Sequence, residues 1–149
     1  MSENKTGYLS SLAYGAASGL SLPVYGSDSY TEIPDIEELK LPAGTRPVEE
    51  RKVLQQKASK KFVGSLSYSA CTANGLRDFE SAAQLQMRGD ANAGNPVRRN
   101  FRGSLPNTGN EIHYFVGYCS KFEYGPVTNE GVYTFDMEIV VDGEVTIVD

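Results

Sequence analysis

The side chains that could do chemistry are few and widely spaced along this 149-residue chain. The single histidine, His113, lies within a strand-like run between Glu111 and Tyr114 and not beside a candidate nucleophile. Asp136 and Glu138 are two residues apart, so a strand would place both carboxylates on one face, as an acid–base pair requires. We interpret them as part of a solvated sheet face, because catalysis also needs a nucleophile, a shifted acid or base, or a metal.

The remaining motifs that carry chemistry are missing from the sequence. It has no Gly-x-Ser-x-Gly elbow and no Gly-rich phosphate loop ending in Gly-Lys. Its two cysteines, Cys71 and Cys119, lie in strand-like runs without Cys-x-x-Cys spacing, and no secretion signal precedes them, so we expect buried, reduced thiols. We therefore predict no catalytic residue, no cofactor and no metal site, and a protein that is not an enzyme.

Charge is distributed unevenly along the chain. Residues 51–102 carry 10 basic and 3 acidic side chains, whereas residues 103–149 carry 1 basic and 8 acidic ones. The cluster Arg98, Arg99 and Arg102 beside Phe101 resembles a nucleic-acid footprint only weakly, and the net charge of −5 argues against one. Two interpretations stay open: a solvated basic segment beside acidic strands, or one face of a subunit complementary to another face of an identical subunit.

The elements that position these side chains are organised around residues 111–148. A two-residue period predicts two long strands, the first with its apolar face on the even positions and the second on the odd ones. Asp142-Gly143 predicts a two-residue hairpin turn into a third strand over residues 144–148. The apolar positions are Ile112, Tyr114, Val116, Tyr118, Phe122 and Tyr124 in the first strand, then Tyr133, Phe135, Met137, Ile139 and Val141 in the second.

Upstream, the sequence predicts strands over residues 8–14 and 19–25, a strand within residues 30–42 and another over 61–71. One helix is predicted from Phe79 to Arg88 with Asp78 as its N-cap. Residues 42–61 form a polar stretch too long for an ordinary loop, so it is disordered or becomes ordered on a partner. We predict a single domain over residues 1–149, with residues 1–29 as N-terminal strands or arm.

The predicted fold class is mainly β: an antiparallel β-sandwich or barrel with one flanking α-helix. The apolar runs are too short to span a membrane. The predicted core consists of Phe62, Leu66, Tyr68, Phe79, Met87, Phe101, Tyr114, Val116, Tyr118, Phe135, Met137 and Ile139.

Four stretches of the sequence together carry a family resemblance. They are Tyr30-Thr31-Glu32-Ile33-Pro34-Asp35-Ile36, the polar loop running into Lys61-Phe62-Val63-Gly64-Ser65-Leu66, the helix over residues 79–88, and Phe115-Val116-Gly117-Tyr118-Cys119-Ser120 with the strand and Gly143 turn that follow. Over residues 30–149 the chain resembles the tail tube (major tail) proteins of long-tailed, siphovirus-type bacteriophages.

The resemblance implies a structural subunit of hexameric rings, stacked into a tube through which the genome is ejected. It implies a location in the virion tail, and in the host cytoplasm during assembly. Implied partners are other copies of the chain and the tail terminator, tape measure and distal tail proteins, while DNA passes through the lumen without specific binding. The lumen would be lined by Glu123, Asp136 and Glu138, and the inter-subunit loop would carry Glu49, Glu50, Arg51, Lys52, Lys57 and Lys60.

Two other functions stay open from the sequence. A tube subunit of a contractile injection or secretion system would share the architecture but expel proteins. A small β-barrel ligand-binding protein would instead need a large apolar pocket and would be monomeric.

Overall fold

The computed structural model describes residues 10–17, 25–52, 54, 58–105, 111–126 and 131–148. Twelve strands and one α-helix follow one another in these ranges. The strands are β1 Ser11–Ala17, β2 Thr31–Glu32, β3 Ile36–Lys40, β4 Gly44–Thr45, β5 Val48–Arg51, β6 Lys60–Val63, β7 Ser67–Tyr68, β8 Cys71–Leu76, β9 Arg98–Leu105, β10 Glu111–Tyr124, β11 Thr134–Val141 and β12 Thr146–Val148. The helix, α1, is Ala82–Ala91 and lies between β8 and β9. The mainly β, antiparallel fold with one helix is confirmed.

The main sheet curls back on itself. Its strand order is β2-β1-β9-β10-β11-β8-β3, with β12 also paired to β10. A flat sheet of seven strands would separate its two edges by about 29 Å, yet the edge strands β2 and β3 are joined by residues 33–35, which span about 14 Å at most. The Ile33 amide bonds to Leu12 in β1 and the Asp35 carbonyl to Leu76 in β8, so this connection bridges both edges.

Close approach at this bridge depends on two backbone features. Asp35 has a left-handed φ of 61°, which turns the chain from β2 into β3. A Cβ on Gly75 would lie 2.0 Å from the Asp35 carbonyl oxygen, so only glycine admits the turn at this distance.

The core lies inside the curled sheet, and α1 covers it. Phe101 and Phe115 stack with ring centroids 5.5 Å apart, and Phe135 stacks on Phe122 at 5.2 Å. Of the predicted core residues, Met87, Phe101, Phe135, Met137 and Ile139 are buried, and Tyr68, Tyr114, Val116 and Tyr118 are half-buried. The prediction was wrong for Phe62, Leu66 and Phe79, which are exposed.

The helix begins later than predicted. Ser81 is the N-cap, and its hydroxyl accepts a hydrogen bond from the Gln84 amide. Asp78 instead closes a local turn by accepting from the Glu80 amide, the alternative use of a short acidic side chain at such a position. Ala83, Gln84, Met87 and Asp90 form the buried face of α1.

The predicted parity of β10 was wrong over its first part. Phe115, Gly117 and Cys119 point inward, so the apolar even residues from Ile112 to Tyr118 lie on the other face. The register shifts between Cys119 and Lys121, and this irregularity returns Phe122 to the inward side. A Cβ on Gly117 would lie 2.4 Å from the Val140 carbonyl oxygen, which explains the small residue there.

Asp142-Gly143 does not form the predicted hairpin. β12 pairs with residues Ile112 to Tyr114 of β10. It lies along the same edge of β10 that β11 occupies from Gly117 onward. The chain therefore continues in one direction past Gly143, whose φ of 103° interrupts the strand without reversing it. The Asp142 amide bonds to the Val116 carbonyl at this interruption, at 2.7 Å.

Within residues 42–61, the part that the structure describes belongs to a long hairpin and is not a structureless loop. β3 pairs with β8, β4 with β7 and β5 with β6. The register shifts by one residue between Ile36 and Glu38 and shifts back between Thr45 and Val48. We call residues 42–69, the part of this hairpin outside the main sheet, the arm. The single strand predicted over residues 61–71 is wrong, because it is divided among β6, β7 and β8.

At the N-terminus, β1 begins three residues after the predicted start and ends at Ala17. The strand predicted over residues 19–25 falls mostly outside the described residues, and Tyr25–Ser27 form a short 3-10 helix.

Candidate assembly surfaces

The three acidic residues predicted for a lumen lie on one face of the main sheet. Glu123 in β10 pairs directly with Asp136 in β11, and Glu138 is two residues further along β11. Their neighbours Phe135, Met137 and Ile139 point into the core, so these carboxylates point outward. The structure thus brings Glu123, Asp136 and Glu138 together as an acidic stripe, the name used below for these three residues.

The acidic stripe is partly neutralised by a lysine. Lys121 pairs across the strands with Glu138, and its ammonium lies 3.7 Å from a Glu123 carboxylate oxygen. These side chains are substantially exposed, and an exposed pair of this kind contributes well under about 1 kcal/mol. The stripe therefore retains negative charge, and its function would be electrostatic.

The charged residues predicted for an inter-subunit loop lie on the arm. Glu49, Glu50 and Arg51 belong to β5, and Lys60 begins β6. Glu49 and Arg51 form an exposed ion pair at 2.6 Å on one face of the ribbon. Lys52 is exposed directly after β5, and Lys57 is outside the described residues.

The arm also exposes apolar side chains on both of its faces. Val48 and Val63 pair across the ribbon on one face, and Phe62 lies opposite Glu49 on the other. Their relative exposures are 62%, 63% and 52%. A two-stranded ribbon open to water on both faces is marginal by itself, so its apolar side chains favour contact with another surface.

A second exposed apolar surface was missed by the sequence interpretation. Phe79 and Tyr124 flank the Arg77 guanidinium where β8 and β10 end, and Tyr133, just before β11, packs edge-on against the Phe79 ring. The Phe79 ring lies 6.0 Å from that of Tyr124 and 5.2 Å from that of Tyr133, and all three rings are 41–51% exposed. We call these four residues the aromatic patch. In the sequence only Phe79 is near Arg77, so no local pattern signals the complete patch.

The basic cluster suspected of binding nucleic acid is engaged within the subunit. Arg99 forms a buried ion pair with Asp90 of α1, and its guanidinium also donates to the Gly15 carbonyl at 2.9 Å. Arg98 pairs with Asp142 at 3.0 Å, and Arg102 lies over the Tyr30 ring at 4.8 Å. These contacts leave the cluster poorly placed to bind a phosphate backbone.

The remaining reactive side chains serve packing. His113 Nε2 lies 2.6 Å from a Glu111 carboxylate oxygen. Cys71 and Cys119 are free thiols on the two strands that flank β11, and the backbone of each pairs with Ile139. Two strand spacings, about 10 Å, therefore separate the two cysteines. That separation is too long for a disulfide, and burial raises the pKa of each thiol to about 12.

Three features bear on other functions. Among the described residues, no group of three or more His, Cys, Asp or Glu side chains is arranged to hold a metal ion. None of the helices in the described ranges is long and apolar enough to cross a membrane. An open groove of about 590 Å³ runs along β3, but Glu37, Glu38, Lys40 and Asn74 make much of its lining polar, which does not favour an apolar ligand.

The curled sheet, the covering helix and the arm together define a tail-tube-like fold. One chain of the six-fold symmetrised anti-feeding prophage baseplate shares it with a TM-score of 0.74 and 11% identity, over 99% of this chain and 97% of that one. The tail of an empty gene transfer agent particle with C6 symmetry matches at a TM-score of 0.71 and 11% identity, over 98% of this chain and 100% of that one.

The tail tube of SPP1 matches at a TM-score of 0.62 and 13% identity, over 97% of this chain and 78% of that one. No family model matches the chain, and no curated protein matches its sequence. The likeness therefore lies in the fold, and nearly the whole chain takes part in it.

Proposed function

We propose that this chain is the structural subunit of a bacteriophage tail tube, forming hexameric rings that stack around a channel for genome ejection. The observation that carries the proposal is the match to one chain of a C6-symmetric tail and one chain of a six-fold symmetrised baseplate, each covering at least 97% of both chains. A subunit of this kind would act in the virion tail by self-association and without catalysis. Assembly in the host cytoplasm belongs to the same proposal, as do tail terminator, tape measure and distal tail partners.

Electron microscopy of the purified protein tests this proposal directly. Incubation at rising concentration should give rings with six-fold symmetry and tubes of uniform diameter. A protein that stays monomeric in analytical ultracentrifugation under all conditions, with no rings on the grid, would contradict it.

Within this proposal the arm, with Glu49, Glu50, Arg51, Lys52, Lys57 and Lys60, contacts the next ring. The support is its uncovered ribbon, which extends up to about 36 Å beyond the last main-sheet pair, Lys40 and Thr72. Replacing residues 46–66 by Asn-Gly would connect the paired residues Thr45 and Ser67 through a two-residue turn and leave β3 and β8 intact. The shortened chain should fold and form no tubes. Long tubes from it would contradict the inter-ring role.

The acidic stripe is proposed to line the lumen, where DNA passes without specific binding. Duplex DNA carries about one negative charge per 1.7 Å, so a basic wall would hold it through phosphate contacts. A negative wall repels it within a screening length of roughly 8–10 Å. The double change Asp136→Lys and Glu138→Lys should leave tubes intact and slow genome delivery, while Glu32→Lys, an exposed residue of the edge strand β2 outside the stripe and the arm, serves as the control. Normal infectivity with the double change would place the stripe elsewhere.

A further inference from the structure

We propose that the arm of one subunit docks on the aromatic patch of a second copy of this chain in the next ring. This inference rests on the proposed stacking of rings, and it names the surface that receives the arm. The patch would bind an aromatic and basic segment, with Phe62 as its central apolar contact.

The two surfaces lie at opposite ends of the same pair of strands. The aromatic patch is where β8 ends, because Leu76 pairs with Thr134 and the Arg77 amide bonds to the Tyr133 carbonyl at 2.9 Å. The arm leaves the sheet at the other end of β8, beyond the pair formed by Lys40 and Thr72. Because the pairs β4–β7 and β5–β6 continue the hairpin beyond that end of β8, the arm extends away from its own aromatic patch. An arm in this position leaves its own patch uncovered for the arm of a second copy.

The aromatic patch has the chemistry of a receptor site. The Arg77 guanidinium lies 4.8 Å from the Phe79 ring centroid and 5.7 Å from that of Tyr124, and its Nε is buried without a hydrogen-bond partner among the described residues. Gln84 fixes this arginine from the other side, with 3.0 Å between Oε1 and Nη1. Rings held around a fixed cation form a preorganised apolar surface that a further aromatic ring can cover at low entropic cost.

The arm supplies the complementary group. Phe62 is the one aromatic side chain on the ribbon formed by β5 and β6, and it is 52% exposed between Lys61 and Val63. Residues 46–63 contain six basic and two acidic side chains. The loop that carries Phe79 has Asp78 and Glu80 on either side of it, and the Glu80 side chain is exposed. Lys60 lies on the same ribbon face as Phe62, so its ammonium would meet the exposed Glu80 carboxylate beside Phe79.

A second copy fits better than an unrelated partner because of this geometry. Two different surfaces at opposite ends of one chain make a heterologous contact, which repeats without closing and builds an open stack. The contact would also cover the apolar side chains of a ribbon that is marginal when exposed on both faces.

Mixing two variants tests the proposal. Phe62→Glu removes the arm contact and Phe79→Glu removes the receptor contact, so each variant alone should form rings without stacking. Rings of the two variants, assembled separately and then mixed, retain one functional arm and one functional patch. They should form stacks of two rings and no longer ones in electron microscopy and sedimentation. Ile147→Glu is the control, because Ile147 is similarly exposed at 56% but lies in β12 outside both surfaces.

Disulfide trapping gives a second readout that does not depend on loss of assembly. A chain carrying both Lys60→Cys and Glu80→Cys keeps Phe62 and Phe79, and it should oxidise to covalent ladders in assembled tubes, because Lys60 shares the ribbon face of Phe62 and the exposed Glu80 follows Phe79. The pair Lys60→Cys and Ile147→Cys should remain monomeric on the gel. The natural thiols Cys71 and Cys119 contribute little background because they are buried.

The outcomes separate this inference from the proposed function. Wild-type protein that forms no rings or tubes contradicts the proposed function itself. Wild-type tubes together with tubes of normal length from Phe79→Glu overturn only the receptor assignment. The assignment is also overturned if thermal melting matches wild type but the mixed rings fail to stack, or if the Lys60 and Glu80 cysteines give no ladder in assembled tubes.

Discussion

Replacing Gln84 by leucine should destabilise the subunit strongly although the two side chains have similar size. Gln84 has no exposed surface, and its amide makes four hydrogen bonds. Oε1 accepts from Arg77 Nη1 at 3.0 Å and from the Asp78 amide at 2.9 Å, while Nε2 donates to the carbonyls of Pro34 and Leu76 at 3.0 Å each. Every donor and both acceptor positions of the amide are used.

The expected loss follows from these four contacts. A hydrogen bond contributes about 1 kcal/mol net, so losing four costs about 4 kcal/mol. Arg77 is only 7% exposed, and the loss of a hydrogen-bond partner for this buried charge adds to the loss of stability. The burial of the apolar leucine side chain offsets part of that loss. We expect a loss of about 3–5 kcal/mol, which for a domain of this size lowers the Tm by roughly 6–20 °C.

Urea unfolding of unassembled protein measures this loss, at a concentration where sedimentation shows a monomer. The control is Gln86→Leu, the same chemical change two residues along the helix. Gln86 is exposed and makes one hydrogen bond, to Asp90 at 3.0 Å, so its loss should be about 1 kcal/mol or less. A loss below about 1 kcal/mol for Gln84→Leu, or equal losses for both variants, would refute the reasoning.

Two further predictions concern the core. Phe135→Ala should lower the free energy of unfolding in urea by about 3–5 kcal/mol, because the ring is fully buried and stacked on Phe122. The control Val140→Ala, on the exposed face of the same strand, should lower it by about 0.5 kcal/mol. A loss below about 1 kcal/mol for Phe135→Ala would place that ring outside the core. Folding raises the pKa of Cys71 and Cys119 from 9.0 to about 12, so their contribution to stability is complete below pH 9 and falls by about 1.4 kcal/mol per pH unit per thiol between pH 9 and 12. Chemical denaturation between pH 9 and 12 should show this fall in the free energy of unfolding, and replacing both cysteines by alanine should make the fall less steep. An identical pH profile in the alanine variant would contradict the raised pKa of the two thiols.

The sequence predicted the β11 face correctly and the first part of β10 incorrectly, for one physical reason. In β11 the polar residues Asp136 and Glu138 mark the outer face, so the period identifies the inner one. In β10 both parities carry apolar side chains, and the residues that point inward include the small Gly117 and Cys119. Close packing under the helix and against Val140 selects small side chains there, and a hydrophobicity pattern does not register that requirement.

The arm was predicted as a polar connection because solvent surrounds it. A half-buried strand alternates apolar and polar residues, but a ribbon exposed on both faces has no such alternation to detect. Its strands are shown by backbone pairing: β4 pairs with β7 and β5 with β6, and these pairs extend the hairpin that β3 and β8 begin. Tertiary pairing at its base, rather than local propensity, therefore determines this hairpin.

Of the candidate site residues, the sequence placed Asp136 and Glu138 on one face because period-two spacing within one strand requires it, whereas the pairing of β10 with β11 brings Glu123 beside them. It could not find the aromatic patch, since Arg77, Tyr124 and Tyr133 come from three separate segments that only the sheet order brings together. Asp142-Gly143 was misread as a hairpin for the same reason. A positive φ is compatible with a turn or with an interruption, and the pairing of β12 with β10 decides between them.

The charge segregation of the sequence acquires a physical explanation from this architecture. The basic excess of residues 51–102 lies largely on the arm and in internal contacts such as that of Arg99 with Asp90. The acidic excess downstream includes the stripe on the outer sheet face. In the proposed tube the basic arm would meet the exposed Glu80 carboxylate beside the aromatic patch, while the stripe would face the lumen, so the two charged surfaces would have separate roles. With the arm and the aromatic patch at opposite ends, the proposed stack would grow head to tail and have a defined direction, as a tube that delivers its contents from one end requires.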